Sequence, residues 1–153
     1  MARATVEKEL HFEIKNETGV LGQITKTLEL AGVFIVHLSA YSVGRKGYFQ
    51  IITRDNRKAA SALKHLAPKI EERDVLVIEF ENKVGTLAPV ARLLGSNGIH
   101  VHYVYGTSGD GFKIVGIFST EDNKRAAQII NKDSGACLPQ AGVRRLTQKG
   151  KMK

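Results

Sequence analysis

"NETGVLGQI", residues 16–24, follows an alternating apolar run and opens a helical one, and "NKVGTLAPV", residues 82–90, repeats its frame. Both read Asn-x-x-Gly-x-Leu. A shift of 66 residues (82 − 16) carries Glu13 onto Glu79, Gly19 onto Gly85, Leu28 onto Leu94, Gly32 onto Gly98 and Ser42 onto Ser108. The same shift, taken without a gap, pairs Asp55 with Glu121, Ile51 with Ile117, Lys58 with Lys124, Ala60 with Ala126 and Leu63 with Ile129. A period this long marks a duplicated domain rather than a short solenoid repeat.

Inside each copy the hydrophobic period changes in a fixed order. Leu10, Phe12 and Ile14 alternate with polar residues, which predicts a strand. Val20, Leu21, Ile24, Leu28 and Ala31 recur at helical spacing, and Gly32 is placed to end that helix. "VFIVHLSAY" (33–41) and "YFQIIT" (48–53) read as a hairpin about "VGRKG". Asp55 or Asn56 caps a second helix through about residue 66, Pro68 ends it, and "KIEE" offers a short closing strand. The second copy predicts strand 75–81, helix 86–97, strands 99–106 and 112–119, helix 122–131, and a last strand "VRRLT" (143–147). The fold class expected is therefore α+β: two ferredoxin-like βαββαβ units, over 8–72 and 74–147, each an antiparallel sheet with its helices on one face. A unit of this size is marginal alone, so the sheets should associate within the chain or in a dimer. Phe34, Val36 and Leu38, with Tyr48 and Ile52, are expected to line the helix-free face and to meet a partner there.

Composition narrows the class. With 42% hydrophobic and 25% charged residues the chain is an ordinary globular one. No apolar run approaches the ~20 residues of a membrane span, no signal-peptide core opens the chain, and the lone Cys137 cannot form an internal disulfide, so a cytoplasmic location is expected. The formal net charge of +8 raises nucleic acid as a partner. Arg144, Arg145, Lys149, Lys151 and Lys153 supply more than half of that excess, however. The charge thus belongs to a basic end, with 148–153 expected to be disordered.

The element order, the duplicated turn and the "AGVFI" and "NGIHV" entries to the second strand of each copy resemble the ACT domain. The resemblance spans about residues 8–147 as two tandem copies. It implies an amino-acid-binding regulatory module of amino-acid metabolism, self-associating or acting on a metabolic enzyme, without catalysis, cofactor or metal. Carried over residue by residue, the ligand positions are Asn16, Glu17, Gly19, Val20 and Leu21 in one copy. In the other they are Asn82, Lys83, Gly85, Thr86 and Leu87, with His100 from the adjoining strand. The chemistry is plausible on its own terms. Glycine lets a ligand approach the backbone, and free N–H groups at a helix start favour a carboxylate. Asparagine can accept from an ammonium and donate to a carboxylate. Leu21 and Leu87 are expected to anchor the helices to the core. The second copy is expected to bind better, because Lys83 adds positive potential where Glu17 subtracts it and His100 keeps a polar residue where Phe34 does not. Serine-binding members of the family carry a histidine two residues before the turn asparagine and a second asparagine at the next strand entry. This chain has Ile14 and Phe80, then Phe34 and His100, so an apolar or aromatic amino acid fits as well as serine.

Two other classes share the topology. "KGYFQIIT" (46–53) partly matches the first signature of the RNA-recognition motif, but Gln50 and Thr53 stand where aromatics belong and Glu13 takes the stacking position of the first strand. His100 and His102, with His11 and His37, allow a metal sensor, although no Cys-x-x-Cys or His-x-x-x-His spacing accompanies them. No nucleophile elbow or Walker loop is present, and the glycine-rich "GTSGDGF" (106–112) joins two strands as a hairpin turn. "EER" (71–73) reads as a solvated linker.

Overall fold

The computed structural model describes residues 2–108 and 111–134. Its elements run β1 (Arg3–Lys15), α1 (Val20–Leu30), β2 (Ile35–Val43), β3 (Lys46–Thr53), α2 (Asn56–Leu63), β4 (Ile70–Glu81), α3 (Leu87–Ser96), β5 (Val101–Ser108), β6 (Lys113–Thr120) and α4 (Asn123–Asp133). The strands form one antiparallel sheet in the order β2-β3-β1-β4-β6-β5. Two ferredoxin-like units are thus fused side by side. None of the described helices is long and apolar enough to cross a membrane.

The fusion is made by two strands that each serve both units. β4 pairs with β1 through Ile70–Asp74, closing the first unit, and continues as the first strand of the second. "EER" is therefore strand, not linker. In return Arg3–Lys8 pairs with Asp74–Glu79 and fills the place beside β4 where the second unit's closing strand belongs. The strand expected at 143–147 lies outside the described residues, as does the basic end 148–153 and Cys137. No cut between 72 and 74 separates two sheets. Asn131 locks the exchange: its Oδ1 accepts from the Ala4 N–H at 2.9 Å and its Nδ2 donates to the Ala4 carbonyl at 2.8 Å, with Asn131 1% exposed.

Two apolar cores lie under the helices. Leu10, Phe12, Phe49 and Ile51 meet Ile24, Leu28, Ala59 and Leu63 in one; Leu76, Ile78, Phe80 and Phe118 meet Val90, Leu94, Ala126 and Ile130 in the other. Both first helices end in the same way. Gly32 (φ 64°) and Gly98 (φ 68°) turn the chain left-handed, so Val33 N–H reaches the Leu28 carbonyl and Ile99 N–H the Leu94 carbonyl.

Later in each copy the repeat slips by one residue. Asp55 and Asp122, not Asp55 and Glu121, cap α2 and α4, each accepting a backbone N–H at 2.9 Å. Ala59 matches Ala126, Leu63 matches Ile130 and Ile51 matches Phe118 on the buried face. The gap-free pairings after the hairpin are therefore corrected: one residue is inserted in the second copy's β5–β6 hairpin. The helix-free face also differs from expectation. A β-bulge between Ile35 and His37 turns Leu38 toward the helices, so His37 rather than Leu38 faces the open side. That face carries an apolar centre of Ile52, Val75 and Ile117, flanked by cross-strand ion pairs, Lys46–Glu13 at 2.9 Å and Lys113–Glu79 at 3.3 Å.

Candidate functional site

The two Asn-x-x-Gly turns occupy equivalent places at the ends of β1 and β4. Asn16 N–H bonds the Arg45 carbonyl and its Nδ2 donates to the Gly44 carbonyl at 3.4 Å. Asn82 does the same with Phe112 and Gly111, the side-chain bond being 2.9 Å. Each asparagine thus straps the strand–helix turn to the neighbouring hairpin. That use takes one amide hydrogen and leaves the other, and no described residue donates to either Oδ1. Gly19 (φ 91°) and Gly85 (φ 86°) follow in the left-handed region, where a side chain would be strained, and open space surrounds both Cα atoms.

The helices behind these turns begin unlike the other two. α2 and α4 are capped by their own aspartates. α1 and α3 receive no side-chain cap: Gly19 has no side chain to give, and Thr86 turns its hydroxyl to the Lys83 carbonyl. Their first N–H groups, at Leu21 and Gly22 and at Leu87 and Ala88, therefore keep the positive end of the dipole open. Leu21 and Leu87 do not anchor the helices. They are 49% and 50% exposed beside the turns, and Val20, Ile24 and Leu28 or Val90 and Leu94 do the anchoring.

The charges around the two turns cancel. Glu17 is paired with Lys15, and Lys83 with Glu81 at 2.7 Å, the same pair with its signs exchanged. The Lys83 ammonium is the largest of the causes, the chain's amino group being another, that lower the Glu81 carboxyl to about 2, so the pair stays ionised at neutral pH. The expected advantage of Lys83 over Glu17 is offset by these neighbours. Nor does the structure bring His100 to the Asn82 turn. Its carbonyl meets the Glu121 N–H beyond one end of β6, while Asn82 meets Phe112 before the other. The eight-residue strand between them spans roughly 25 Å.

Beside the second turn lies a cavity of about 300 Å³, with Phe80, Val90, Leu93 and Ile130 as its apolar wall and Glu81, Thr86, Asp133 and Ser134 as its polar lining. A wider groove of about 510 Å³ lies near the first turn, between Ile14, Lys15, Arg45, Lys46, Leu66 and Pro68, and includes none of the expected ligand residues. His100 and His102 stack edge to face at 5.3 Å, and no group of three His, Cys, Asp or Glu side chains among the described residues is arranged to hold a metal ion.

Sequence reasoning missed a cluster on the helix-free face. Glu9 is fully buried there, bonded by Tyr103, Tyr105 and His11. Its only sequence signal is its place in β1's outward-facing series with His11 and Glu13.

These features, two fused ferredoxin-like units, the second closed by the start of β1, with uncapped glycine turns after β1 and β4, are those of a paired regulatory fold. The chain belongs to the ACT family: the family model described as an ACT domain pair matches residues 5–140. It is similar in shape to protein BT0572 from Bacteroides thetaiotaomicron, at 23% identity, 86% coverage of this chain, 90% of that one and a TM-score of 0.78. The regulatory subunit of aspartate kinase from Thermus thermophilus, in its ligand-free form, matches at 13% identity, 84% and 96% coverage and 0.62. A structure of aspartokinase alpha and beta subunits matches at 16%, 87% and 97%, and 0.60. No functionally curated protein sequence matches this chain.

Proposed function

We propose that this ACT pair is a small-molecule-binding regulator of amino-acid metabolism, that it takes an amino acid at its strand–helix turns, and that it has no catalysis of its own. The observation that carries the reading is the contrast among the four helices: the two that follow Asn-x-x-Gly lack caps, while the other two are capped by aspartate. A carboxylate at Leu21 and Gly22, or at Leu87 and Ala88, takes the place of the missing cap. The asparagine oxygen then accepts from the ligand's ammonium. The second turn is the principal site, now because of the apolar cavity beside Thr86, which suits an apolar side chain. Binding regulates only if one conformation or assembly state binds better than another. A thermal-shift screen of the twenty amino acids tests this: one or a few should raise the melting temperature, apolar ones foremost. No hit, together with salt-sensitive retention on single-stranded RNA, would favour the RNA-binding alternative.

The chain also self-associates in this reading, through an edge rather than a face. Leu30 at the end of α1, Phe34 just before β2 (with the Arg54 guanidinium 4.1 Å over its ring) and Val36 on β2 are 77%, 55% and 44% exposed, where the second copy has Ser96, His100 and His102.

A further inference from the structure

Glu9 is a carboxylate at 0% exposure on the one face of the sheet that no helix covers. Both of its oxygens are engaged. Tyr105 Oη donates to Oε1 at 2.5 Å, Tyr103 Oη donates to Oε2 at 2.5 Å, and His11 Nε2 meets the same oxygen at 2.6 Å. The contact is long-range in every sense: Glu9 lies on β1 and the two tyrosines on β5, with β4 and β6 between them. The stacked phenols, 6.4 Å apart, lie over Val75 and Ile117 and close the middle of the face.

The cluster stands between the two turns. β1 runs from Glu9 to Asn16, and β5 runs from Tyr103 and Tyr105 into the hairpin whose Gly111 and Phe112 carbonyls hold Asn82. We propose that Glu9, His11, Tyr103 and Tyr105 form a latch that ties the outer strand of the second unit to the strand leading into the first unit's turn, and that acid opens it. Glu9 must be ionised for the latch to close, because a carboxylate accepts all three bonds and a carboxylic acid brings a fourth proton among three donors. Coupling between ligands at the two turns rests on the function proposed above; the latch itself does not, and can be tested without ligand.

Every packed strand contributes to its surroundings. β1 offers His11, Glu7 and Glu13; β2 offers His37; β3 offers Gln50 and Tyr48; β4 offers Arg73, opposite Glu9, and Glu71; β6 offers Ser119 and Lys113. Burial pushes the Glu9 carboxyl up, but the bonds from His11, Tyr103 and Tyr105 outweigh it and hold it below the ordinary 4.5. Stability from Glu9 is therefore present above pH 4.5 and lost as the pH falls through the lower folded value. Burial lowers His37 from 6.5, with Glu9 partly opposing, so His37 also costs stability in acid, starting near pH 6.5. A neutral Gln at position 9 removes the Glu9 share of the lower limb and, by taking away the charge that favours protonated His37, deepens the upper one.

The test is amide hydrogen exchange on the full chain at neutral pH, for wild type, Tyr105→Phe, the double variant Tyr103→Phe/Tyr105→Phe and Glu9→Gln. Each lost bond to the carboxylate should speed exchange about tenfold in β5 and in residues 111–113 relative to β2 and β3. Melting temperature should fall below pH 4.5 in both the wild type and Glu9→Gln, but less steeply in Glu9→Gln, where only the other paired carboxylates such as Glu71 and Glu81 remain to titrate. The single Tyr105→Phe change keeps the ring's packing, so it reports even if the Glu9 variant fails to fold. Equal acceleration across all strands, or no acceleration in β5, would overturn the latch.

Discussion

At the residue scale, the two glycines and two asparagines were legible because a turn needs them wherever it occurs, and the sequence wrote them twice. Their surroundings were less so. Gly85 adopts φ 86°, so Gly85→Val does not leave the fold intact, as it would at a negative φ; a β-branched residue there should cost about 1–3 kcal/mol, read by chemical denaturation. An unchanged midpoint would mean that the turn can relax. The leucines misled because spacing alone cannot tell the inner edge of a helical stripe from its outer edge. Leu21 lies one residue beyond Val20, which is 9% exposed, and a single step of 100° around the helix carries it from core to solvent. His100 misled for a different reason. It is adjacent to the turn in the repeat scheme but lies at the far end of β6, a distance that no local pattern encodes.

At the scale of elements, the order of strands and helices followed from hydrophobic period, and the boundaries differed by a few residues. What the period could not show was which strand pairs with which. The strand expected about Leu10, Phe12 and Ile14 begins already at Arg3, and only the sheet shows that Arg3–Lys8 closes the second unit. The hairpin insertion escaped notice because the apolar residues on either side are numerous enough to align in two registers. The strand exchange makes its own prediction. Asn131→Ala should cost roughly 1–3 kcal/mol, since it strands the buried N–H and carbonyl of Ala4 far away in sequence. Urea unfolding measures it; a loss within error would mean that water replaces the amide and that Asn131 does not hold the exchange.

At the scale of the whole molecule, a six-stranded sheet leaves two edges, and they are unlike. The first unit's edge is apolar at Leu30, Phe34 and Val36, while the second unit's equivalents are polar. Edge strands are natural templates for pairing, so Phe34→Glu should shift sedimentation toward monomer, whereas His100→Glu should not. A wild-type monomer at high concentration would remove this surface. Of the expected apolar sheet face Ile52 is kept, packed with Val75 and Ile117, but the bulge at Ile35–His37 turns Leu38 to the helices, and ion pairs and the Glu9 cluster share the face.

The claim on which the rest depends is that the uncapped turns take an amino acid. Titration calorimetry of the best amino acid from the screen, on the wild type, Asn16→Ala and Asn82→Ala, tests it most directly. Loss of the asparagine oxygen's bond to the ligand ammonium should weaken binding by about 1–3 kcal/mol at the turn concerned, with Asn82→Ala the more costly because the apolar cavity lies at its turn. Undiminished affinity in both variants, for an amino acid that the wild type binds, would place the ligand elsewhere and contradict the account.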